Sequence, residues 1–356
     1  MQKWTQDEAN AWYAQQPWLK GANYVPASAI NQLEMWQKDT FDPARIDLEL
    51  GWAENLGMNT MRVFLHDLCW KEDSAGFIKR IDTFLGLCEK HKITPMMVLF
   101  DSVWDPFPKS GKQRDPNPGV HNSGWVQSPG AEGLKDPAQR QRLQEYIEGL
   151  VGAFASDKRI IAWDVWNEPD NINGVYGGDG QMIEGSYGNV EPADKVACVT
   201  DLLPKVFAWA RAGNPKQPLT SGIWKGDWST TEILVAVEKI QIAESDIISF
   251  HNYGSADDFE RRIGWLQQYQ RPILCTEWMA RPFGNTFEKI LPIAKRYNVA
   301  AYNWGFVEGK SQTNMPWDSW KNPYINGREP AIWFHDILHR DGRPYNSAET
   351  LAIKNI

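Results

Sequence analysis

A single (β/α)8 barrel spanning residues 1–356 is the fold that the sequence predicts. Short apolar runs alternate eight times with longer amphipathic segments, which is typical of strand–helix units around a parallel sheet. No linker divides the repeats and no Gly-x-Gly-x-x-Gly turn follows a predicted strand, so a doubly wound sheet is disfavoured. The longest irregular stretches follow strands, as in an α/β TIM barrel with long loops on its C-terminal face.

The eight predicted strands are brief and rich in apolar and β-branched residues, as expected of strands buried on both faces. They cover residues 18–25, 58–65, 93–100, 160–166, 218–223, 246–251, 272–278 and 299–306. The first barrel helix is predicted to begin with Asp42 as N-cap and Pro43 at the first helical position, and to end near Gly57. Later helices are predicted near residues 73–91, 137–155, 192–212, 230–243, 256–270 and 285–297.

Composition excludes several classes of protein. The chain has no apolar run of 20 residues and no low-complexity block, so it is predicted to be globular, without a membrane partner. The net charge is -8 and basic residues do not cluster, which argues against a nucleic-acid partner. The four cysteines stand far apart and are expected to be reduced and mostly buried. The six histidines form no metal motif, and we expect neither a metal nor another cofactor.

Nineteen tryptophans stand out in the composition. Tryptophan is a flat, amphipathic side chain that suits the face of a sugar ring as well as a protein core, and about two in three are expected in the core. The predicted loops 101–136, 171–190 and 305–329 carry aromatic residues, namely Trp104, Trp125, Tyr176, Tyr187, Trp317 and Trp320. These side chains either contact a substrate or hold their own loops in place.

Two glutamates follow predicted strands at positions where a barrel builds its active site. Glu168 ends the fourth strand in Asn167-Glu168-Pro169, and Glu277 ends the seventh. Two carboxyl groups that converge at a barrel mouth are the minimum apparatus for cleaving a glycosidic bond. A single glutamate at such a place often pairs with an arginine of the barrel instead, but two of them with polar companions favour the catalytic interpretation.

The companions are of specific types. Asn167 can bind a sugar hydroxyl beside the reacting carbon, and Arg62 on the second strand can orient a carboxylate and keep it ionised. After the sixth strand, Tyr253 can donate to Glu277 and His251 can position the acid or a hydroxyl. Trp304, ending the eighth strand, can form the floor on which a sugar ring stacks.

Together these residues resemble the retaining glycoside hydrolases of clan A, most closely glycoside hydrolase family 5. The resemblance covers nearly the whole chain, because each motif follows the expected strand. It implies that Glu168 is the acid/base and Glu277 the nucleophile of a double-displacement reaction. It also implies a carbohydrate substrate, and by analogy a secreted or periplasmic location, although the N-terminus lacks the pattern of a signal peptide.

One departure from the family concerns the third strand. Family 5 enzymes usually carry a histidine just beyond it, whereas this chain has Asp101 and Trp104 there. His66, after the second strand, is the candidate to fill the same space. His121, Trp125 and Trp317 are predicted to form pocket walls.

The predicted function is therefore hydrolysis of β-linked oligo- or polysaccharides of the glucan, mannan or xylan type. The long loops favour an exo-acting enzyme, or one that acts on short oligosaccharides, over an endo-acting enzyme with an open cleft. The alternatives are another clan A activity, such as an exo-acting β-galactosidase or β-mannosidase, and a barrel that binds carbohydrate without hydrolysing it. The oligomeric state stays open.

Overall fold

Eight parallel strands form the wall of a barrel in the computed structural model, which describes residues 1–173, 175–176, 182–183 and 191–356. They are β1 (Lys20–Tyr24), β2 (Thr60–Phe64), β3 (Met96–Val98), β4 (Ala162–Asp164), β5 (Leu219–Thr220), β6 (Ile248–His251), β7 (Ile273–Trp278) and β8 (Ala300–Asn303). The pairing order is β5-β4-β3-β2-β1-β8-β7-β6. A parallel bridge between Ile223 and Phe250 joins the two ends, so the predicted (β/α)8 barrel is confirmed.

Helices surround this sheet. They are α1 (Gln6–Tyr13), α2 (Gln32–Trp36), α3 (Pro43–Asn55), α4 (Asp67–Lys90), α5 (Ala131–Lys135), α6 (Arg140–Ala153), α7 (Lys195–Ala212), α8 (Ala236–Glu244), α9 (Ala256–Leu266), α10 (Phe287–Arg296) and α11 (Ser347–Asn355). Asp42 caps α3 as predicted, since its side chain accepts a hydrogen bond from the backbone N–H of Arg45. Helices α1, α2, α5 and α11 were not predicted from the sequence.

Two helix starts differ from prediction for local reasons. The helix predicted near residue 73 begins earlier, at Asp67, and is kinked at Asp73, whose carboxylate accepts from the Gly76 N–H and so caps the second segment. The helix predicted from residue 230 begins only at Ala236, because the Glu238 side chain accepts from the N–H of Val235 and fixes the first turn there.

The packing seals one end of the barrel and leaves the other for a site. Ala9 and Tyr13 of α1 belong to a buried cluster with Met96, Leu274 and Tyr302, which lie on the strands of the barrel. This helix therefore covers the end opposite to the rim where the strands finish. All four cysteines are free and three are buried. Within the described ranges, no helix is long and apolar enough to span a bilayer.

The close approach of β1 to β2 requires glycine at one position. A Cβ atom at Gly21 would lie 1.9 Å from the carbonyl oxygen of Thr60 on the neighbouring strand, whereas a Cβ at Gly86 on the exposed face of α4 would meet nothing within 4 Å. We predict that Gly21→Ala lowers the free energy of unfolding by about 1 to 3 kcal/mol or more, because the strands must separate. Gly86→Ala, the control, should raise it by about 0.5 to 1 kcal/mol through helix propensity.

Urea denaturation followed by circular dichroism measures both variants. Equal stability of Gly21→Ala and the wild-type protein would show that β1 and β2 do not approach as closely as described.

Candidate active site

Arg62 lies at the centre of the polar residues inside the barrel mouth. Its side chain is fully buried, projecting from β2. Its Nε and Nη2 donate to Oδ2 of Asp164 at 3.1 and 2.8 Å, and Nη1 donates to Oε1 of Glu277 at 2.9 Å. The amide oxygens of Asn23 and Asn167 accept further hydrogen bonds, at 2.8 and 2.7 Å. One guanidinium group thus connects strands β1, β2, β4 and β7.

The structure brings Glu168 and Glu277 together as predicted. Both side chains are almost completely buried, and oxygen atoms of the two carboxyl groups lie within 4.8 Å of each other and of a His251 ring nitrogen. Every carboxyl oxygen has a hydrogen-bond partner beside it. Arg62 and Tyr253 donate to the two oxygens of Glu277, each at 2.9 Å. For Glu168 the neighbours are Nδ1 of His251 at 2.8 Å and the Asn171 side-chain amide at 2.6 Å.

Glu168 is placed by an unusual backbone conformation. Its φ is +42°, in the left-handed region that larger residues rarely adopt, and Pro169 follows it. The turn begins where Asn167 donates its backbone N–H to the Phe100 carbonyl at 2.8 Å, which fixes the strand end against its neighbour. This geometry directs the Glu168 side chain towards His251 and Glu277.

The environments of the two glutamates differ. Burial raises the pKa of Glu168 to about 7, with the negative charge of Asp170 adding to the effect and Asn171, Arg62 and Lys225 opposing it. Burial also raises the pKa of Glu277, and the negative charge of Glu168 adds to the rise, while His251, the charge of Arg62 and the hydrogen bond from Tyr253 oppose it. Two donors, one of them charged, favour the ionised form of Glu277. The pair therefore suits one protonated and one ionised carboxyl group near neutral pH.

His251 is positioned to act without a charge of its own. Its Nδ1 lies 2.8 Å from Oε1 of Glu168 and 3.5 Å from Oε2 of Glu277. Burial lowers the pKa of His251 to about 4, so the ring is neutral at pH 7. A neutral ring that faces both carboxyl groups can hold them in place without adding a positive charge.

Asp101, just beyond β3, occupies the region where the family usually has a histidine. Its Oδ1 accepts from the Asn167 side-chain amide at 2.9 Å, and its Oδ2 accepts from the Trp125 ring at 2.5 Å and from Gln32 at 3.2 Å. Burial raises the pKa of Asp101 to about 7. Because Asn167 accepts from Arg62 and donates to Asp101, both ends of its amide are fixed in orientation.

His66, the candidate to replace that histidine, lies at the N-terminus of α4. Its Nδ1 accepts from the Leu68 N–H at 3.2 Å and lies 3.3 Å from the carboxylate of Asp67. Its Nε2 has no hydrogen-bond partner among the described residues. In the part of the chain that the structure describes, His66 therefore makes no hydrogen bond to either glutamate, and Asp101 makes the contact to Asn167.

The predicted wall residues come from two loops that meet above the barrel. Trp304 lies in edge contact with Phe64 and Trp125, with ring centroids 5.9 and 6.2 Å apart. Trp104 stacks on Trp320 at 5.2 Å. The rings of Trp317 and Tyr253 pack together with their centroids 5.1 Å apart. Because Tyr253 donates to Glu277, Trp317 lies just behind a residue that contacts the carboxyl pair.

His121 is fully buried in the same wall. Its backbone N–H donates to the Ser319 hydroxyl at 2.9 Å, and its ring contacts those of Trp104 and His335. Tyr187 and the side chain of Tyr176 lie outside the described residues.

Several contributors to the site were missed or not weighed in the sequence analysis. They are Asn23, Asp164, Asn171 and His335. Asp164 could have been found from the sequence, because a charged residue inside a buried strand needs a partner of opposite charge. Arg62 on another strand is that partner. His335 carries no such signal in the sequence. Its Nδ1 donates to the Met279 carbonyl at 2.5 Å, and these two residues meet only because distant loops pack together.

Glu168, His251 and Glu277 are the described residues with enough carboxylate and imidazole atoms in reach to hold a metal ion. Arg62 donates to Glu277 at 2.9 Å, so a fixed positive charge already lies against this group. That charge repels a second cation and suits proton transfer better than metal binding. The absence of a metal requirement stays a prediction.

The sequence matches no family model, and no curated protein matches it. Solved structures, in contrast, match at the level of the fold. GH5_18 from Streptomyces cattleya, solved with GlcNAc, has a TM-score of 0.58 at 13% identity, covering 95% of this chain and 79% of its own. The fold is that of glycoside hydrolase family 5 enzymes. The resemblance drawn from the motifs is thereby confirmed for the fold.

Two further structures agree at the level of the fold. The exo-β-1,4-mannosidase Op5Man5 from Opitutaceae bacterium strain TAV5 has a TM-score of 0.56 at 17% identity, over 95% of this chain and 58% of that one. The β-1,4-mannanase from the sea hare Aplysia kurodai has a TM-score of 0.55 at 16% identity, over 88% of this chain and 95% of that one.

We predict that the raised pKa of Glu168 can be observed directly. In protein labelled with carbon-13 only at glutamate side-chain carboxyls, one signal should titrate with a midpoint of about 7 and be missing from Glu168→Gln. Asp101 is unlabelled and silent in this NMR titration. The control Glu145→Gln, on the exposed face of α6, should retain the signal. If every glutamate signal in the wild-type protein titrates below pH 6, the burial argument for Glu168 is wrong.

Proposed function

We propose that this protein is a retaining β-glycoside hydrolase that removes β-linked mannose from the ends of mannan-type substrates. The observation that carries the proposal is the close pair of carboxyl groups, whose oxygens approach within 4.8 Å. Retaining enzymes hold these groups about 5 to 5.5 Å apart, whereas inverting enzymes need about 6.5 to 9.5 Å to admit a water molecule. The spacing therefore favours direct attack by one carboxylate.

In the first step, an oxygen of Glu277 attacks the anomeric carbon and the bond to the leaving oxygen breaks. The Glu168 proton passes to that oxygen, so a neutral alcohol departs and an ester links the sugar to Glu277. In the second step, Glu168 takes a proton from water, and the resulting hydroxide attacks the anomeric carbon and releases Glu277. Two inversions give net retention.

The electrostatics of the pair support these roles. Arg62 and Tyr253 donate to both oxygens of Glu277 and favour a carboxylate that is ready to attack. Glu168, with a pKa raised to about 7, keeps its proton at neutral pH and loses it without great cost. When the ester forms, the negative charge on Glu277 disappears. The pKa of Glu168 then falls, which converts the acid into the base of the second step.

The structural neighbours support the choice of a mannan-type substrate. Three of them bear names that refer to mannose: the exo-β-1,4-mannosidase Op5Man5, the Aplysia kurodai β-1,4-mannanase and a family 5 mannosidase from Rhizomucor miehei. Asn167 has a second N–H on its fixed amide, and this donor can bind the hydroxyl at C2 of the sugar. That hydroxyl distinguishes mannose from glucose by its axial direction.

Two loops that meet over one side of the barrel support exo action. The backbone N–H of Asn122, in the loop after β3, donates to the Ser311 carbonyl at 2.8 Å, and that of Tyr324 donates to the Gly119 carbonyl at 3.0 Å. Ser311 and Tyr324 belong to the loop after β8. Since β1 and β2 lie between β8 and β3, the joined loops bridge this part of the mouth. A long polysaccharide cannot extend through such a wall.

A barrel that binds carbohydrate without cleaving it is the rival. Such a protein has no need of a buried carboxylic acid with a pKa near 7 beside an arginine-bound carboxylate. The arrangement of four hydrogen-bond partners around the four carboxyl oxygens favours catalysis.

Substitution of each glutamate separates their roles. With a dinitrophenyl β-mannoside, Glu277→Ala should lower kcat/KM by on the order of 10⁴-fold or more, and azide should restore turnover with an α-glycosyl azide as product. Glu168→Ala should keep most of its kcat/KM on this substrate, whose leaving group needs no proton, while its kcat falls because the second step has lost its base. On methyl β-mannoside its kcat/KM should fall roughly 10²- to 10⁴-fold. NMR identifies the anomer, and Glu145→Ala is the control. Near wild-type rates in both variants would refute the assignment.

The product pattern tests exo action. From reduced β-1,4-mannohexaose, early digests should contain mannose and the reduced pentasaccharide, with no internal fragments. Chromatography of the first few per cent of hydrolysis measures this. Rates of hydrolysis of the matching β-glucoside, β-galactoside and β-xyloside test which sugar is preferred. A clear preference for any of them over the β-mannoside would overturn the mannan assignment but leave the hydrolase function in place.

A further inference from the structure

A small cavity lies beside Trp304, lined by residues that lie on or follow β1, β2, β3 and β8, whereas Glu168 follows β4. It measures about 20 Å³ and is bounded by Phe64, Trp125 and Trp304, together with the polar residues Asn23 and Asn122. A space of this size holds about one water molecule or one hydroxyl group. It is therefore too small for a separate ligand and the right size for one substituent of a larger one.

Asn122 supplies the polar group without a partner. The residue is 1% exposed, and neither the oxygen nor the nitrogen of its side-chain amide has a hydrogen-bond partner among the described residues. Its backbone is fully used, since the N–H donates to Ser311 and the carbonyl accepts from Trp125. A buried amide that makes no hydrogen bond is destabilising, and such groups call for an explanation such as a ligand or an ordered water.

The cavity is close to the reacting centre. Asn23, on its wall, accepts a hydrogen bond from Arg62 at 2.8 Å, and Arg62 holds Glu277 at 2.9 Å. During hydrolysis the leaving group must lie towards Glu168, which protonates it. The sugar that forms the ester therefore extends in the other direction, over Trp304 and towards the cavity.

We propose that Asn122 determines specificity by binding one hydroxyl group of this sugar, at C3, C4 or C6. The hydroxyl at C2 is excluded, because it must lie beside the anomeric carbon, near Asn167. The Asn122 oxygen accepts from the sugar hydroxyl and the nitrogen donates to it, so both unpaired atoms gain a partner at once. The inference rests on the proposed hydrolase function and deepens it, since Asn122 selects for a sugar that carries this hydroxyl.

The position also limits which substitutions give a fair test. The φ of Asn122 is +46°, so most side chains would be strained there, but glycine would not. Asn122→Gly removes the amide and keeps the backbone. Asn298→Gly is a matched control, because Asn298 is exposed and has a φ of +52°. Asn122→Asp keeps an acceptor oxygen of the same size and serves as the second variant.

The test compares kcat/KM on 4-nitrophenyl β-mannoside with its 3-deoxy, 4-deoxy and 6-deoxy analogues. Asn122→Gly should lose on the order of 10- to 100-fold on the parent sugar but almost nothing on one analogue, the one that the wild-type enzyme itself handles poorly. Asn122→Asp should retain discrimination for that same hydroxyl, and Asn298→Gly should match the wild-type protein. Thermal unfolding confirms that each variant is folded.

Equal losses on the parent and on all three analogues would overturn the inference, because a purely structural or water-binding role of Asn122 affects every sugar alike. That result would leave the proposed function intact, since the wild-type enzyme is active in the same assay. If the wild-type protein fails to hydrolyse mannoside, glucoside, galactoside and xyloside alike, the proposed function and the inference both fall.

Discussion

The buried guanidinium of Arg62 is the interaction on which the site depends. It is fully enclosed, and such a charge is tolerated only where its donors are paired. Four side chains from different parts of the barrel meet this need, namely Asn23, Asp164, Asn167 and Glu277. Replacing Arg62 would therefore affect more than the charge of Glu277. It would leave two buried carboxylates uncompensated and release the amide that is expected to bind the substrate.

The same arginine explains why two neighbouring glutamates differ. Arg62 donates directly to Glu277 and Asp164, so its single positive charge faces two carboxylates. Ionising Glu168 would add a third buried negative charge, and its hydrogen-bond partners Asn171 and His251 are both neutral at pH 7. Burial therefore dominates at Glu168 and retains its proton. Arg62 pairs with Asp164 and Glu277 but not with Glu168, and this difference makes Glu168 the carboxyl group that stays protonated.

Much of this could be predicted because the (β/α)8 topology carries residues from strand ends to one rim. Arg62, Asn167, His251, Glu277 and Trp304 each end or follow a strand, so recognising the strands was enough to bring them together. The position of Glu168 within hydrogen-bonding distance of His251 follows from the same rule. Element boundaries were less accurate, because capping contacts such as that of Glu238 with Val235 decide where a helix begins.

Contacts between loops could not be predicted in this way. Asp101 was noted in the sequence only as part of a departure from the family, yet it fixes the amide of Asn167 and holds the Trp125 ring. His335 and Asn122 depend on where the loops after β3 and β8 cross, which no periodic pattern records. The reacting residues are therefore easier to predict from the sequence than the residues that select the sugar, because strands position the former and loops position the latter.

The contrast in hydrogen bonding between these two parts has a physical meaning. All four oxygens of Glu168 and Glu277 have hydrogen-bond partners before any substrate binds, so the reacting groups need little rearrangement during the reaction. In the loop wall, the Asn122 amide and Nε2 of His335 are buried without hydrogen bonds to the described residues. A fully paired group gains nothing when a sugar hydroxyl arrives, whereas an unpaired one gains a hydrogen bond at little cost in desolvation. An unpaired buried atom also lies next to the carboxyl pair, at Nε2 of His251. The unpaired atoms of the loop wall make no hydrogen bond to either carboxyl group, so changes in the loops can alter the sugar accepted while the chemistry stays the same.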